Sequence, residues 1–143
     1  MTDPPVLLFA CVHNGGLSLA AELLAEHHGS GRVVVRSAGS EPGAGLNPAV
    51  VQVLEERRLS TAGEQPTQLT PDAVQEADVV VTMGCGETCP VFPGTRYEDW
   101  PLDDPKGQDL ETVRRIVGEV DDRVQDLLRR LGVTADGAAT APG

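Results

Sequence analysis

Aromatic side chains are scarce in this chain, with two Phe, one Tyr and one Trp among 143 residues. Its core must therefore be aliphatic, and the length suits one domain with enough interior to fold without staples. Basic residues are also few, 11 Lys and Arg against 22 Asp and Glu, which leaves a net charge of −11. That balance repels nucleic acid and anionic membranes, and no basic stripe offsets it, so small molecules and proteins remain as partners. Long apolar runs are missing as well: nothing approaches the ~18 residues of a membrane span, and "MTDPPVLLFAC" lacks the basic start and apolar run of a secretory leader. A cytoplasmic protein is expected, and no oligomeric state can be read. The cysteines are Cys11, Cys85 and Cys89, an odd number without signs of export, which argues against a disulfide framework and for reactive thiols. The plainer role for each is a small buried hydrophobe. Two cysteines at this spacing without a second ligand pair do not make a structural zinc site.

What is present alternates between strand and helix patterns. "VLLFA" at 6–10 reads as a strand covered on both faces, and Ser18 can cap a helix running to about His28. A second strand is expected at 32–40. Asn47 with Pro48, and Thr70 with Pro71, each pair an N-cap with a proline at the first helical position. A third strand is predicted at 77–84, a short fourth at 96–100, and a long amphipathic helix over "DLETVRRIVGEVDDRVQDLLRRLG". The pattern predicts an α/β fold with a mainly parallel sheet and helices on both faces, as one domain over 1–132, followed by a disordered tail at 133–143. In such sheets ligands bind beyond the carboxyl ends of the strands, where Cys11, Ser37 to Ser40, Gly84 to Cys89 and the segment after Trp100 all fall.

The loop "CVHNGGLS" at 11–18 gathers most of this character. A thiol between a strand end and the amides of a helix start sits where the helix dipole favours thiolate. Gly15 and Gly16 let the backbone approach a ligand, and Asn14 can hold the amides inward. Ser18 can cap the helix, donate to the thiolate, or do both. The alternative is an ordinary strand-to-helix turn around a buried cysteine.

This loop resembles the signature loop of the low-molecular-weight protein tyrosine phosphatases, and more closely that of the arsenate reductases of the same fold. "RSAGS", "NPAVVQVL", "TMGCGETCPVFPG" and "RYEDWPLDDP" follow in the family's order and carry the resemblance to Gly132. It implies a four-stranded parallel sheet in a flavodoxin-like three-layer sandwich, with no tightly bound cofactor. It also implies that Val12, His13, Asn14, Gly15, Gly16 and Leu17 present their backbone to an oxyanion that Cys11 attacks. Asp104, with Asp103 as the fallback, would protonate the departing oxygen, and Tyr97 and Trp100 would anchor that segment. Cys85 would resolve the adduct and Cys89 carry the resulting disulfide to an external thiol reductant, a thioredoxin-like protein or mycothiol. In some relatives a potassium ion lies near residues matching Asn14, Glu22 and Ser37.

In one place the chain departs from that pattern. Position 17, where the resemblance calls for an arginine, holds Leu17, followed by the apolar Leu19 and Ala20. A guanidinium binds two oxyanion oxygens at once, and losing one well-placed donor to developing charge costs on the order of 10² to 10³ in rate. Either Arg36 or Arg96 lends a substitute charge, or the protein is a diverged member, applying its cysteines to a less charged substrate or serving only to bind.

Overall fold

The computed structural model describes residues 4–11, 16–29, 32–39, 43, 45–83, 96–103, 105 and 107–133. In chain order the elements are β1 (Val6–Cys11), α1 (Leu17–Gly29), β2 (Val34–Gly39), α2 (Pro48–Glu56), α3 (Pro71–Glu76), β3 (Val79–Thr82), β4 (Arg96–Asp99) and α4 (Leu110–Leu131). The strands form one sheet in the order β2-β1-β3-β4, and every pairing is parallel.

Alternation along β1 explains the layering. Leu7, Phe9 and Cys11 enter a large core cluster with residues of α1, α2 and α4, whereas Leu8 and Ala10 enter a smaller one that includes Val74 of α3. Helices therefore cover both faces, as expected, but unequally. The larger cluster is mainly aliphatic, its buried aromatic rings being Phe9 and Trp100, whose centroids lie 5.7 Å apart.

Local chemistry sets the helix ends. Asn47 accepts from the Ala49 and Val50 amides, Thr70 from Ala73, and Asp109 from Thr112, satisfying donors that a helix start leaves without partners. The third strand is shorter than predicted because Ala77 still closes α3, its amide bonding the Val74 carbonyl. Arg32 and Val33 likewise precede β2 instead of belonging to it. The tail from 134 onward lies outside the described residues.

A part-buried carboxylate ties three helices. Asp121 of α4 lies 2.7 Å from His28 Nε2 at the end of α1 and 3.0 Å from the Arg57 guanidinium at the end of α2, and Gln125 also donates to it. The clamp holds the Asp121 carboxyl below its usual range even though burial opposes this.

Helices α2 and α4 close alike. Val133 bonds the Leu128 carbonyl, with Gly132 left-handed at φ 73°; Leu59 bonds the Leu54 carbonyl, with Arg58 left-handed at φ 64°. The motif favours glycine at the left-handed position because a β-carbon crowds the backbone there. Arg58→Gly is expected to raise the unfolding free energy by about 0.5–1 kcal/mol, read as a higher urea midpoint at constant slope; a lower midpoint would mean that the arginine side chain outweighs its strain.

Candidate functional site

The order of the sheet fixes where a site can form. The chain leaves β1 through α1 to reach β2 on one side, and β3 pairs on the other, so the carboxyl end of β1 is the point at which strand order reverses and a crevice opens. Cys11 is the last residue of that strand, 9% exposed.

From the sulfur the chain returns through α1. Its Sγ lies 2.8 Å from Ser18 Oγ, and Ser18 is fully buried. Ser18 is not the helix cap. The Gly16 carbonyl takes the Ala20 amide at 2.9 Å, so the helix begins before the serine, whose hydroxyl turns to the sulfur. Of the two roles open to Ser18, the thiol contact is the one seen.

Gly16 seats the loop's end. A β-carbon there would stand 3.5 Å from Pro105 Cγ and 3.8 Å from Val50 Cγ2, so α2 and the segment after β4 both press on the end of the loop. Leu17, the first residue of α1, is 6% exposed and belongs to the larger core cluster together with Cys11. Position 17 thus presents hydrocarbon to the interior. Val12, His13, Asn14, Gly15, Cys85, Cys89 and Asp104 lie outside the described residues.

Neither candidate for a substitute cation holds. Arg36 pairs in register with Leu8, on the α3 side of the sheet, and bonds Glu76 at 2.9 Å. It stands three residues short of Gly39, the partner of Cys11, which is about 10 Å along the strand. Arg96 opens β4 opposite Val79, at the far end of the sheet from Cys11, and lies 3.4 Å from Glu98.

Asp103, the fallback acid, has a side chain 69% exposed that accepts from Arg115 of α4 at 3.3 Å. Trp100 anchors the start of this segment as expected, 3% exposed against Phe9. Tyr97 does not share that task, since it packs against the smaller cluster on the opposite face. A cleft of about 460 Å³ opens between β4 and α4 beside Glu98, Trp100, Arg123 and Arg130. No described residue of the Cys11 loop lines it.

Glu22 and Ser37 do meet, with the Ser37 hydroxyl donating to Glu22 Oε1 at 2.6 Å. Burial pushes the Glu22 carboxyl up to about 7; the bond to Ser37 opposes the shift, and Glu64 and Glu26 reinforce it. Two of the three residues expected around a potassium ion thus lie side by side, and Asn14, the third, lies outside the described residues. The sequence shows Glu22 only as a helix residue; Ser37, 15 positions away, gives no local sign of contact.

The pair makes stability depend on pH. A carboxyl that holds its proton more tightly when folded contributes fully below its ordinary value of 4.5, and the contribution is lost as pH rises through about 7. From about pH 5 to pH 8 this group should lower the unfolding free energy by roughly 1–2 kcal/mol after allowance for solvent. Glu22→Gln, which keeps the neutral shape, should flatten that part of the denaturation-versus-pH curve. An unaltered slope in the variant would contradict the assignment.

Comparison with known proteins places this geometry in a family. Residues 6–136 match the family described as low molecular weight phosphotyrosine protein phosphatase. The chain is 32% identical over 128 residues to a glutaredoxin arsenate reductase of Synechocystis sp., covering 87% of this chain and 97% of that one. It superimposes on a thioredoxin-dependent arsenate reductase of Corynebacterium glutamicum with a TM-score of 0.80 at 39% identity, covering 91% of this chain and 63% of that chain, so it spans under two thirds of that relative's length. An arsenate reductase from Archaeoglobus fulgidus gives a TM-score of 0.73 at 31% identity, covering 86% of this chain and 98% of that one. A match that spans nearly every element, joined to a free thiol at the reversal point of a parallel sheet, means that the chain belongs to the low molecular weight phosphotyrosine protein phosphatase family.

Proposed function

We propose that this protein is an arsenate reductase, an oxidoreductase in which Cys11 is the nucleophile. The observation that carries the reading is the place of the Cys11 sulfur, at the strand end where order reverses and 2.8 Å from the hydroxyl of Ser18 in the first turn of α1. A hydroxyl there can donate to a thiolate, and the helix start adds its partial positive charge. The arsenate reading is supported by relatives that bear this activity in their names and resemble the chain over most of its length.

In the first step the Cys11 thiolate attacks arsenic while the loop amides of Val12, His13, Asn14, Gly15, Gly16 and Leu17 hold the oxygens. A sulfur–arsenic bond forms, an arsenic–oxygen bond breaks, and the oxygen leaves as water after Asp104 supplies a proton. The Cys85 thiolate then attacks the Cys11 sulfur. As the sulfur–sulfur bond forms, the sulfur–arsenic pair of electrons passes to arsenic, which departs as arsenite. Cys89 next displaces Cys11 from the disulfide, restoring its thiolate, and an external thiol reductant reduces the remaining Cys85–Cys89 bond. A thioredoxin-like or glutaredoxin-like protein, or a small thiol such as mycothiol, would serve, and the cytoplasm supplies such reductants. Among the described residues no helix is long and apolar enough to cross a membrane.

Purified protein given arsenate and a thioredoxin system should form arsenite over many turnovers. Cys11→Ser should abolish this, and Cys85→Ser or Cys89→Ser should prevent cycling; arsenite formation unchanged by Cys11→Ser would overturn the reading. Ser18→Ala should slow alkylation of Cys11 by iodoacetamide about tenfold at neutral pH, the effect of losing one hydrogen bond to a charged group. An equal rate, followed by mass spectrometry, would remove Ser18 from the site.

A further inference from the structure

We infer that Glu98 is a positioning residue for the contact between Cys11 and Ser18, acting through the Trp100 indole that it holds. This rests on the reading of Cys11 as a nucleophile and adds what keeps the sulfur and its hydroxyl partner in place.

Sheet register lines these groups up. Phe9, Val81 and Glu98 share one row across β1, β3 and β4, and Phe9 and Val81 belong to the larger cluster. Two residues further along, Cys11 ends β1 and Trp100 follows β4, its amide bonding the Thr82 carbonyl at 2.9 Å. The indole reaches back to the earlier row at two points. Its ring centroid lies 5.7 Å from that of Phe9, and its N–H donates to Glu98 Oε1 at 3.3 Å.

Glu98 can direct the indole because it is itself fixed. Arg130 of α4 donates to its two oxygens at 2.8 and 3.1 Å, a fork-to-carboxylate arrangement that sets the plane of the acceptor. Asp126, one turn earlier on α4, accepts from Arg130 Nε at 2.9 Å, and Arg96 adds a longer contact of 3.4 Å to Glu98. The bonds from Arg130 above all keep the Glu98 carboxyl below its usual range, so it is an ionised acceptor at neutral pH. As a staple between β4 and α4 the pair contributes little, since Arg130 is 42% exposed. Aiming an acceptor at an indole that is only 3% exposed is the larger effect, because a buried N–H left without a partner is costly.

From Trp100 the chain runs toward the thiol. Leu102 packs on the larger cluster, Asp103 accepts from Arg115 at 3.3 Å, and the buried Pro105 has its Cγ 3.5 Å from the place of a β-carbon on Gly16. Trp100 thus meets Phe9, two residues before Cys11, and Pro105 lies against Gly16, two residues before Ser18. The sulfur and the hydroxyl stand 2.8 Å apart, each braced two residues upstream by the same stretch of chain. A hydrogen bond weakens steeply with misalignment, so a small shift of either brace is felt there.

Alkylation of Cys11 by iodoacetamide is followed at neutral pH by mass spectrometry of its peptide, together with the fluorescence of Trp100, the chain's one tryptophan. Glu98→Leu, which accepts no hydrogen bond, should slow alkylation about three- to tenfold and expose Trp100 to quenching by acrylamide. Glu98→Gln, which keeps an oxygen for the indole, should stay within about twofold of the unaltered protein. In a Ser18→Ala background Glu98→Leu should change the rate by less than about twofold, because the contact through which it acts is already gone. A residue that merely supports the fold would act alike in both backgrounds. If Glu98→Leu does not fold, as judged by circular dichroism, Trp100→Phe, which keeps a ring without the N–H, replaces it in the alkylation comparison. Unaltered alkylation or quenching in Glu98→Leu, or an equal slowing with and without Ser18, would overturn the inference while leaving Cys11 as the nucleophile. So would a Glu98→Gln variant as slow as Glu98→Leu, which would assign the effect to charge and not to the indole. A Cys11 that resists iodoacetamide in the unaltered protein would overturn the nucleophile reading, and the inference with it.

Discussion

The contact between the Cys11 sulfur and the Ser18 hydroxyl joins the end of the central strand to the start of the helix that follows it. It spans seven residues and brings together a thiol and a hydroxyl that would each be costly to bury alone. Much of the surrounding structure supports it. Phe9, two residues earlier on β1, meets Trp100; Pro105 and Val50 approach Gly16 at the end of the loop; Leu17 is drawn into the cluster that α1, α2 and α4 share. The thiol is thus held by packing that converges from four elements on one corner of the sheet.

The same corner shows how a family can keep its frame and vary its electrostatics. The position of Cys11 comes from strand order and from helix packing to which Leu17 itself contributes. Leu17 fits because its environment is hydrocarbon, and a leucine turned inward contributes to the core what an arginine reaching toward a ligand would not. In this chain the core has the side chain at position 17.

Legibility in the sequence followed the range of the interactions. The caps Asn47 and Thr70, the buried run of β1 and the apolar stripe of α4 are local signals, and each was readable. Cys11 was legible because a thiol between a strand and a helix start is itself a local pattern. The role of Ser18 stayed divided between two options, because the choice depends on whether the helix begins at Gly16 or at the serine, a matter of one residue. The meeting of Glu22 with Ser37, the removal of Arg36 and Arg96 from the site, and the separation of Tyr97 from Trp100 all depend on which face of the sheet a residue occupies, and strand composition alone left that open. Charge was the poorest guide: an arginine near a strand says nothing of the glutamate from another element that will hold it.

The clamp at Asp121 bears on how the helical layer can move. Because the ends of α1 and α2 both lean on one side chain of α4, none of these termini can fray independently; opening one strips a shared counterion from the other. The layer behind the sheet is thereby a tripod whose feet lift together, and slow amide exchange at those three places would rise and fall in concert.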